Sequence, residues 1–218
     1  MSIADNLERI KTELGPDITL VAVSKYSSDE EIQQAYDAGH RDFGENKAQD
    51  VASRKENYPE DVRWHFIGHL QRNKVKYIAP FVHMIHSVDS LRLLREINKR
   101  AKNENRLIPC LLQMHIAKES SKFGLDRDEL NEILSNEDVK EFKNVSIRGL
   151  MGMATNTEKE ELVKSEFEEL KNLYDELKST DHPLLKVDTL SMGMSQDYKI
   201  AIECGTNMVR IGSAVFKS

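Results

Sequence analysis

Eight short apolar runs, each followed by a stretch of helical periodicity, constrain this chain more than any other feature. The runs fall at 18–24, 41–44, 62–68, 82–87, 109–116, 147–153, 189–193 and 208–211. They have the length and β-branched content of strands, and strands that alternate with helices build parallel sheets. Eight such units without a linker or low-complexity segment predict a (β/α)8 TIM barrel with an extra N-terminal helix, one domain over 1–218. A doubly wound open sheet is the alternative. No G-x-G-x-x-G follows the first run, so a dinucleotide-binding version of that sheet loses its main support. No repeat with a fixed period is present.

The helical segments carry their own signals. Ile3, Leu7, Ile10 and Leu14 recur at helical spacing and stop at Gly15-Pro16. Ser28-x-x-Glu31 reads as a capping box for a helix ending near Gly39. Helices are expected near 45–56 and 71–79, and over 89–103 with Leu91, Leu94, Ile97 and Ala101 inward. A longer loop, 117–125, precedes a helix over 126–135. Thr157-x-x-Glu160 is expected to cap a long helix striped by Val163, Phe167, Leu170, Tyr174 and Leu177, and a short helix runs from Asp197 to Glu203.

Composition excludes several classes. The 218 residues are 39% hydrophobic and 31% charged, as in a globular protein, and the net charge of −6 argues against a general binder of nucleic acid or anionic membranes. No apolar run approaches the roughly 18 residues of a membrane span, and the N-terminus lacks the apolar core of a signal peptide. Cys110 and Cys204 have no metal-like spacing, which with the absent signal suggests a reducing cytoplasm. His83 and His86 lie three apart in a strand, on opposite faces, so no metal site is expected.

In a barrel the strand ends share one rim, where the chemistry sits. Lys25 closes the first run, Ile18-Thr19-Leu20-Val21-Ala22-Val23-Ser24-Lys25. An amine at a partly dry mouth can lose its proton and form a Schiff base with an aldehyde. Near the other end, Ser191-Met192-Gly193-Met194-Ser195 and Arg210-Ile211-Gly212-Ser213 look like an anion cradle. Gly193 and Gly212 allow close backbone approach, and Ser191 and Ser213 add hydroxyl donors. The loops after strands seven and eight are the usual phosphate site of such barrels. A phosphorylated aldehyde held by a lysine points to pyridoxal 5′-phosphate (PLP). Arg210 would then lie between phosphate and ring. Facing the ring nitrogen it would not readily supply a proton, which leaves the cofactor a weak electron sink. Asn46 is placed to bond the ring hydroxyl or to cap a helix. Met151, Met153, Met192 and Met194 read as packing at the mouth. Lys118, Lys122 and Arg127 in the long loop, and Gln71-Arg72-Asn73-Lys74, read as solvated faces.

These residues together resemble a known family. Val21 to Lys25, Phe43-Gly44-Glu45-Asn46, Trp64 to Lys74, Ser87-Val88-Asp89-Ser90, Lys122-Phe123-Gly124, Gly149-Leu150-Met151, Leu190 to Ser195 with Asp197, and Arg210 to Ala214 occur in the order found in YggS/PROSC-type pyridoxal phosphate homeostasis proteins. The resemblance covers essentially the whole chain. It implies a barrel similar to the alanine racemase N-terminal domain, with a Schiff base at Lys25. It further implies phosphate around Ser191, Gly212 and Ser213, Arg210 near the ring nitrogen and Asn46 in the pocket, with Met192 and Gly193 also among the cofactor-binding residues. Family members are understood to carry or buffer PLP in vitamin B6 and amino-acid balance, with no established catalysis. One departure is visible: where relatives commonly continue past the final Ala-x-Phe with a glycine and an arginine, Lys217-Ser218 stands here.

The expected function is a PLP carrier, with an amino-acid racemase as the alternative. A two-base racemase of this barrel type draws its second base from a separate C-terminal domain, and no such domain is expected here. His65 and His115 are the barrel's own candidates. A plain scaffold is disfavoured because the polar rim needs no partner. A monomer is expected, with apo PLP-dependent enzymes as recipients of the cofactor.

Overall fold

The structure is a computed structural model that describes residues 2–118 and 123–217. Eight parallel strands close in sequence order into one barrel. They are β1 (Thr19–Val23), β2 (Asp42–Glu45), β3 (Arg63–Phe66), β4 (Met84–Val88), β5 (Ile108–Met114), β6 (Val145–Gly152), β7 (Leu185–Ser191) and β8 (Met208–Ile211). The expected barrel is therefore the observed one. Closure comes from β8 pairing with β1, with Thr19 opposite Met208 and Ala22 opposite Ile211. Closing the sheet leaves no unpaired edge, which an open sheet of the same strands would expose.

The expected helices occur in order, and two single-turn helices, Glu137–Lys140 and Ser213–Phe216, add to them. They are α1 (Ile3–Leu14), α2 (Asp29–Asp37), α3 (Ala48–Lys55), α4 (Val75–Ile78), α5 (Leu91–Asn103), α6 (Arg127–Ser135), α7 (Glu137–Lys140), α8 (Glu160–Lys178), α9 (Tyr198–Glu203) and α10 (Ser213–Phe216). The Ser28 capping box forms as read, with both Ser28 and Glu31 side chains accepting backbone N–H groups. The Thr157 box does not. Its hydroxyl accepts from the Lys159 N–H two residues on, a local turn that competes with capping, and α8 starts only at Glu160. The helix expected over 71–79 is a 3₁₀ turn at Arg72–Lys74 running into the single turn of α4.

β6 and β7 begin before their apolar runs. The lower half of β7 alternates half-buried and exposed residues and carries Lys186 and Asp188. That polarity hides the strand from a search for apolar runs. No helix among the described residues is long and apolar enough to cross a membrane.

Two apolar cores result. One lies between sheet and helices and includes the predicted stripes of α1, α5 and α8. The other fills the barrel and is built from Val21, Met84, Leu111, Met151 and Met208, with Met153 above them. Alternation along each strand separates the two. On β1 it sets Val21 inside, with Leu20 and Ala22 outside. Burying such side chains stabilises by about 25 cal/mol per Å² of apolar surface removed from water. α1 is tied to the C-terminal turn: buried Asn6 donates to the Val215 carbonyl of α10 at 3.1 Å.

Candidate functional site

The candidate site lies where β7, β8, β1 and β2 end side by side on the C-terminal rim. Lys25 stands two residues past β1 and is exposed, its Nζ 5.1 Å from the centre of the Tyr26 ring. The partly dry amine expected from sequence is thus an open one, because the strand stops at Val23. Gly212 packs on that same strand end, where a Cβ would come within 3.1 Å of the Val23 carbonyl oxygen. The start of α10 therefore sits beside the lysine loop. Val215 and Phe216 donate the first bonds of that turn to the Gly212 carbonyl. A helix leaves its earliest N–H groups without intrahelical partners, here those of Ser213 and Ala214. Ser213 itself is exposed.

Gly193 supplies the second wall. Its φ of +96° suits glycine alone, and an added Cβ would lie 2.7 Å from the Ala201 Cβ. Its carbonyl accepts the Arg210 N–H at 2.9 Å, which locks the two glycine loops together. Asn46 follows β2 and is half-buried; Gly68 backs it so closely that a Cβ there would meet the Asn46 backbone at 2.5 Å. Lys25, Asn46, Gly193, Gly212 and Ser213 are therefore brought to one mouth.

Two further predicted residues are buried. Met192 is fully buried in the core between sheet and helices, because it has the opposite parity to the mouth. Ser191 is fully buried, and its hydroxyl lies against Arg210 and His86. Arg210 is buried as well. It donates to two neutral oxygens, Ser191 Oγ at 2.6 Å and the Gly152 carbonyl at 3.0 Å. Burial draws its pKa down to about 10, against the favourable field of Asp197. A buried guanidinium bonded to neutral oxygens is an attractive neighbour for an anion.

His65 is not on the rim. It sits inside the barrel, its Nε2 3.0 Å from Asp42 Oδ1 and its Nδ1 2.9 Å from His86 Nε2. Arg63 grips the same Asp42 with two bonds, and His65 lies within β3, which ends only at Phe66, rather than past the strand end. His115 is exposed at the end of β5. Lys118 and Arg127 are also exposed, whereas Lys122 lies outside the described residues.

Sequence reading passed over Glu45 and Arg54. Glu45 is 1% exposed yet ends β2 beside the mouth. Burial raises its pKa, against the bonds from Ser24 and Arg54. Arg54 of α3 bonds Glu45 Oε1 at 2.6 Å, the Ser24 carbonyl at 3.0 Å and the Ser27 carbonyl at 2.7 Å. A carboxylate inside an otherwise apolar strand end was the available signal. Among the described residues, no three His, Cys, Asp or Glu side chains are grouped to hold a metal ion.

The barrel and this mouth define a class. Residues 1–218 match the model of the alanine racemase N-terminal domain, and the chain belongs to that family. Within it, this chain is 35% identical to the pyridoxal phosphate homeostasis protein of Vibrio alginolyticus, over 99% of this chain and 97% of that one. It is 38% identical to the Aquifex aeolicus protein of the same name, over 90% and 85%. It also superimposes on PipY of Synechococcus elongatus with PLP bound, at a TM-score of 0.88 and 33% identity, covering 99% of this chain and all of PipY. An alanine racemase from Clostridium difficile shares the fold, at a TM-score of 0.77 and 15% identity, with 55% of its length covered.

Proposed function

We propose that this protein, over 1–218 as one barrel, binds pyridoxal 5′-phosphate at the β7–β8–β1–β2 mouth and carries or buffers it in vitamin B6 and amino-acid homeostasis. The observation that carries the reading is the convergence of an open amine, a two-glycine cradle and a buried guanidinium at the ends of adjacent strands. These residues fit the group. Lys25 offers an amine for the cofactor's aldehyde. The cradle of Gly193, Gly212 and Ser213 presents backbone N–H groups to a phosphate without side-chain obstruction. Arg210 and Asn46 supply donors to the ring. When bound, PLP supplies an electrophilic carbonyl and an electron sink.

Ser191 in this reading serves Arg210 rather than the phosphate. Met192 serves the outer core and holds the backbone from which Gly193 starts. The relatives are named for homeostasis, which supports carriage over turnover. The exposure of Lys25 also supports carriage, since an open amine gives no shelter from water to a reaction. The shared alanine racemase fold favours a racemase as the second reading, but His65 is spent on Asp42 and His86 inside the barrel. We take the protein to act in the cytoplasm as a monomer and to hand PLP to apo-enzymes.

Borohydride reduction of the protein incubated with PLP, followed by peptide mass mapping, tests the site. A phosphopyridoxyl adduct on Lys25 alone is the expected result. Scattered labelling of surface lysines, or none, defeats the assignment. Racemisation of an amino acid that depends on Lys25 would replace carriage by catalysis. Transfer to an apo-enzyme no faster than free dissociation would remove direct hand-over and leave buffering.

A further inference from the structure

A line of polar side chains crosses the interior of the barrel and ends on Arg210. Asp42, His65, His86 and Ser191 come from four different strands, and each touches the next. Asp42 Oδ1 is 3.0 Å from His65 Nε2, His65 Nδ1 is 2.9 Å from His86 Nε2, and His86 Nδ1 is 3.3 Å from Ser191 Oγ. Ser191 Oγ then accepts from Arg210 at 2.6 Å. His65, His86, Ser191 and Arg210 are each no more than 4% exposed. Interiors of such barrels are ordinarily filled by branched apolar residues. A buried polar line across one needs a reason, because every unpaired member is costly.

With one proton on His65, donor and acceptor bookkeeping sets the direction of the line. Burial alone would raise the pKa of Asp42, but the two bonds from Arg63 and the one from His65 hold it well below the usual carboxylate range. Asp42 is thus an anion that only accepts, so His65 presents Nε2–H to it. Where His65 carries a single proton its Nδ1 is bare, which requires Nε2–H on His86. Burial, with His65, Arg210 and His83 nearby, keeps His86 neutral. Its bare Nδ1 accepts the Ser191 hydroxyl proton. The Ser191 lone pairs face the other way, toward the Arg210 N–H.

We propose that Asp42, His65, His86 and Ser191 form a one-way hydrogen-bond relay that holds Arg210 in place beneath the bound cofactor, with His86 as its central positioning residue. The proposal rests on the PLP reading above. Ser191 cannot be both the acceptor for Arg210 and a hydroxyl donor to the phosphate while His86 takes its proton. The relay therefore divides the site into a fixed ring-binding half and a backbone-built phosphate half. The Gly152 carbonyl gives Arg210 its second fixed point, so the guanidinium plane is set by β6 and β7 before any ligand arrives. The lower end of the line opens to a cavity of about 620 Å³ at the barrel base, lined by Asp42, Arg63 and His40 among others.

Two measurements test this. In ligand-free protein, long-range ¹⁵N–¹H spectra of the imidazoles should show His86 as the neutral Nε2–H tautomer near pH 7. His86 in the Nδ1–H form overturns the relay. The second measurement compares PLP affinity and the absorption spectrum of the bound cofactor in His86→Phe and His86→Gln. The phenyl ring fills the space without an acceptor, and should weaken PLP about tenfold and shift the spectrum, the scale of one charge-assisted hydrogen bond. The glutamine amide offers both an acceptor and a donor, and should restore both readouts. If His86→Phe does not fold, Ser191→Ala removes the same support. Wild-type affinity and spectrum in His86→Phe or Ser191→Ala overturn the proposal. Wild-type protein that takes up no PLP overturns the cofactor reading and this role with it, whatever tautomers the ligand-free spectra show.

Discussion

Glu45 and Arg54 meet at 2.6 Å beneath the loop that carries Lys25. Arg54 then bonds the carbonyls of Ser24 and Ser27, on either side of the lysine. The ion pair thus acts as a clasp: β2 supplies the anion, α3 the cation, and the β1–α2 loop is held by its backbone. The Lys25 side chain is exposed while the backbone on either side of it is held.

Arg54→Met should open the clasp and leave Glu45 buried without its partner. Breaking such a pair costs about 3 kcal/mol. Without Arg54 the Glu45 pKa rises further above the unfolded value of about 4.3. A raised carboxyl pKa gives stability that is present below the unfolded value and lost as pH rises through the folded one. The gap between wild type and variant in urea unfolding should therefore widen from about pH 4 to pH 7. Borohydride labelling of Lys25 should slow in the same variant.

Lys25→Ala should abolish the phosphopyridoxyl adduct with little effect on folding. The side chain is exposed, and surface changes of this kind usually stay within about 0.5 kcal/mol. Equilibrium dialysis should still detect weaker PLP retention by the cradle and Arg210. A large loss of thermal stability would show that the lysine has a structural role.

Gly193→Ala should damage both fold and site. The new methyl meets Ala201 Cβ at 2.7 Å and Tyr198 Cα at 3.0 Å, at a φ that L-residues avoid. Overpacking and strain of this kind cost about 1–3 kcal/mol. Because the Gly193 carbonyl also accepts the Arg210 N–H, PLP affinity should fall together with the urea midpoint.

Stability should fall as pH drops through the ordinary histidine value. Burial is the first cause lowering the pKa of both His40, to about 4, and His86. A histidine whose folded pKa is depressed binds its proton only on unfolding, so the unfolded chain takes up more protons below about pH 6.5. Each group contributes a slope of up to about 1.4 kcal/mol per pH unit in that range. His86→Gln should lose its share of the slope and keep that of His40. Urea unfolding at pH 7.5 and 5.5 measures the difference.

Much of the fold was legible because its signals are local. The eight apolar runs, the stripes of α1, α5 and α8 and the Ser28 capping box depend on residues within a few turns of one another. The beginning of β7 was not legible, since Lys186 and Asp188 obscure a strand that only the neighbouring β6 pairing creates. Thr157 carried a valid capping pattern, but its hydroxyl found the Lys159 N–H first. At the site, Lys25, Gly193, Arg210 and Gly212 stood out as strand-end residues of unusual chemistry. What Ser191 and Met192 touch was not legible, because a strand end does not reveal which neighbour claims a hydroxyl, or where side-chain parity stops.

The sequence by itself determined the order of strands and helices, the barrel they close into, and a lone amine after the first strand with glycine-rich turns after the last two. Only the tertiary structure decided what those residues touch. Closure sets β8 against β1, so that Gly212 packs on Val23 and the cradle adjoins the Lys25 loop. The same closure points the inward residues of β2, β3, β4, β7 and β8 at one another, turning Asp42, His65, His86, Ser191 and Arg210 into a connected line. Parity along one strand says which side chains face inward. Contact across the barrel depends on strand tilt and stagger, which are fixed only when the last strand pairs with the first.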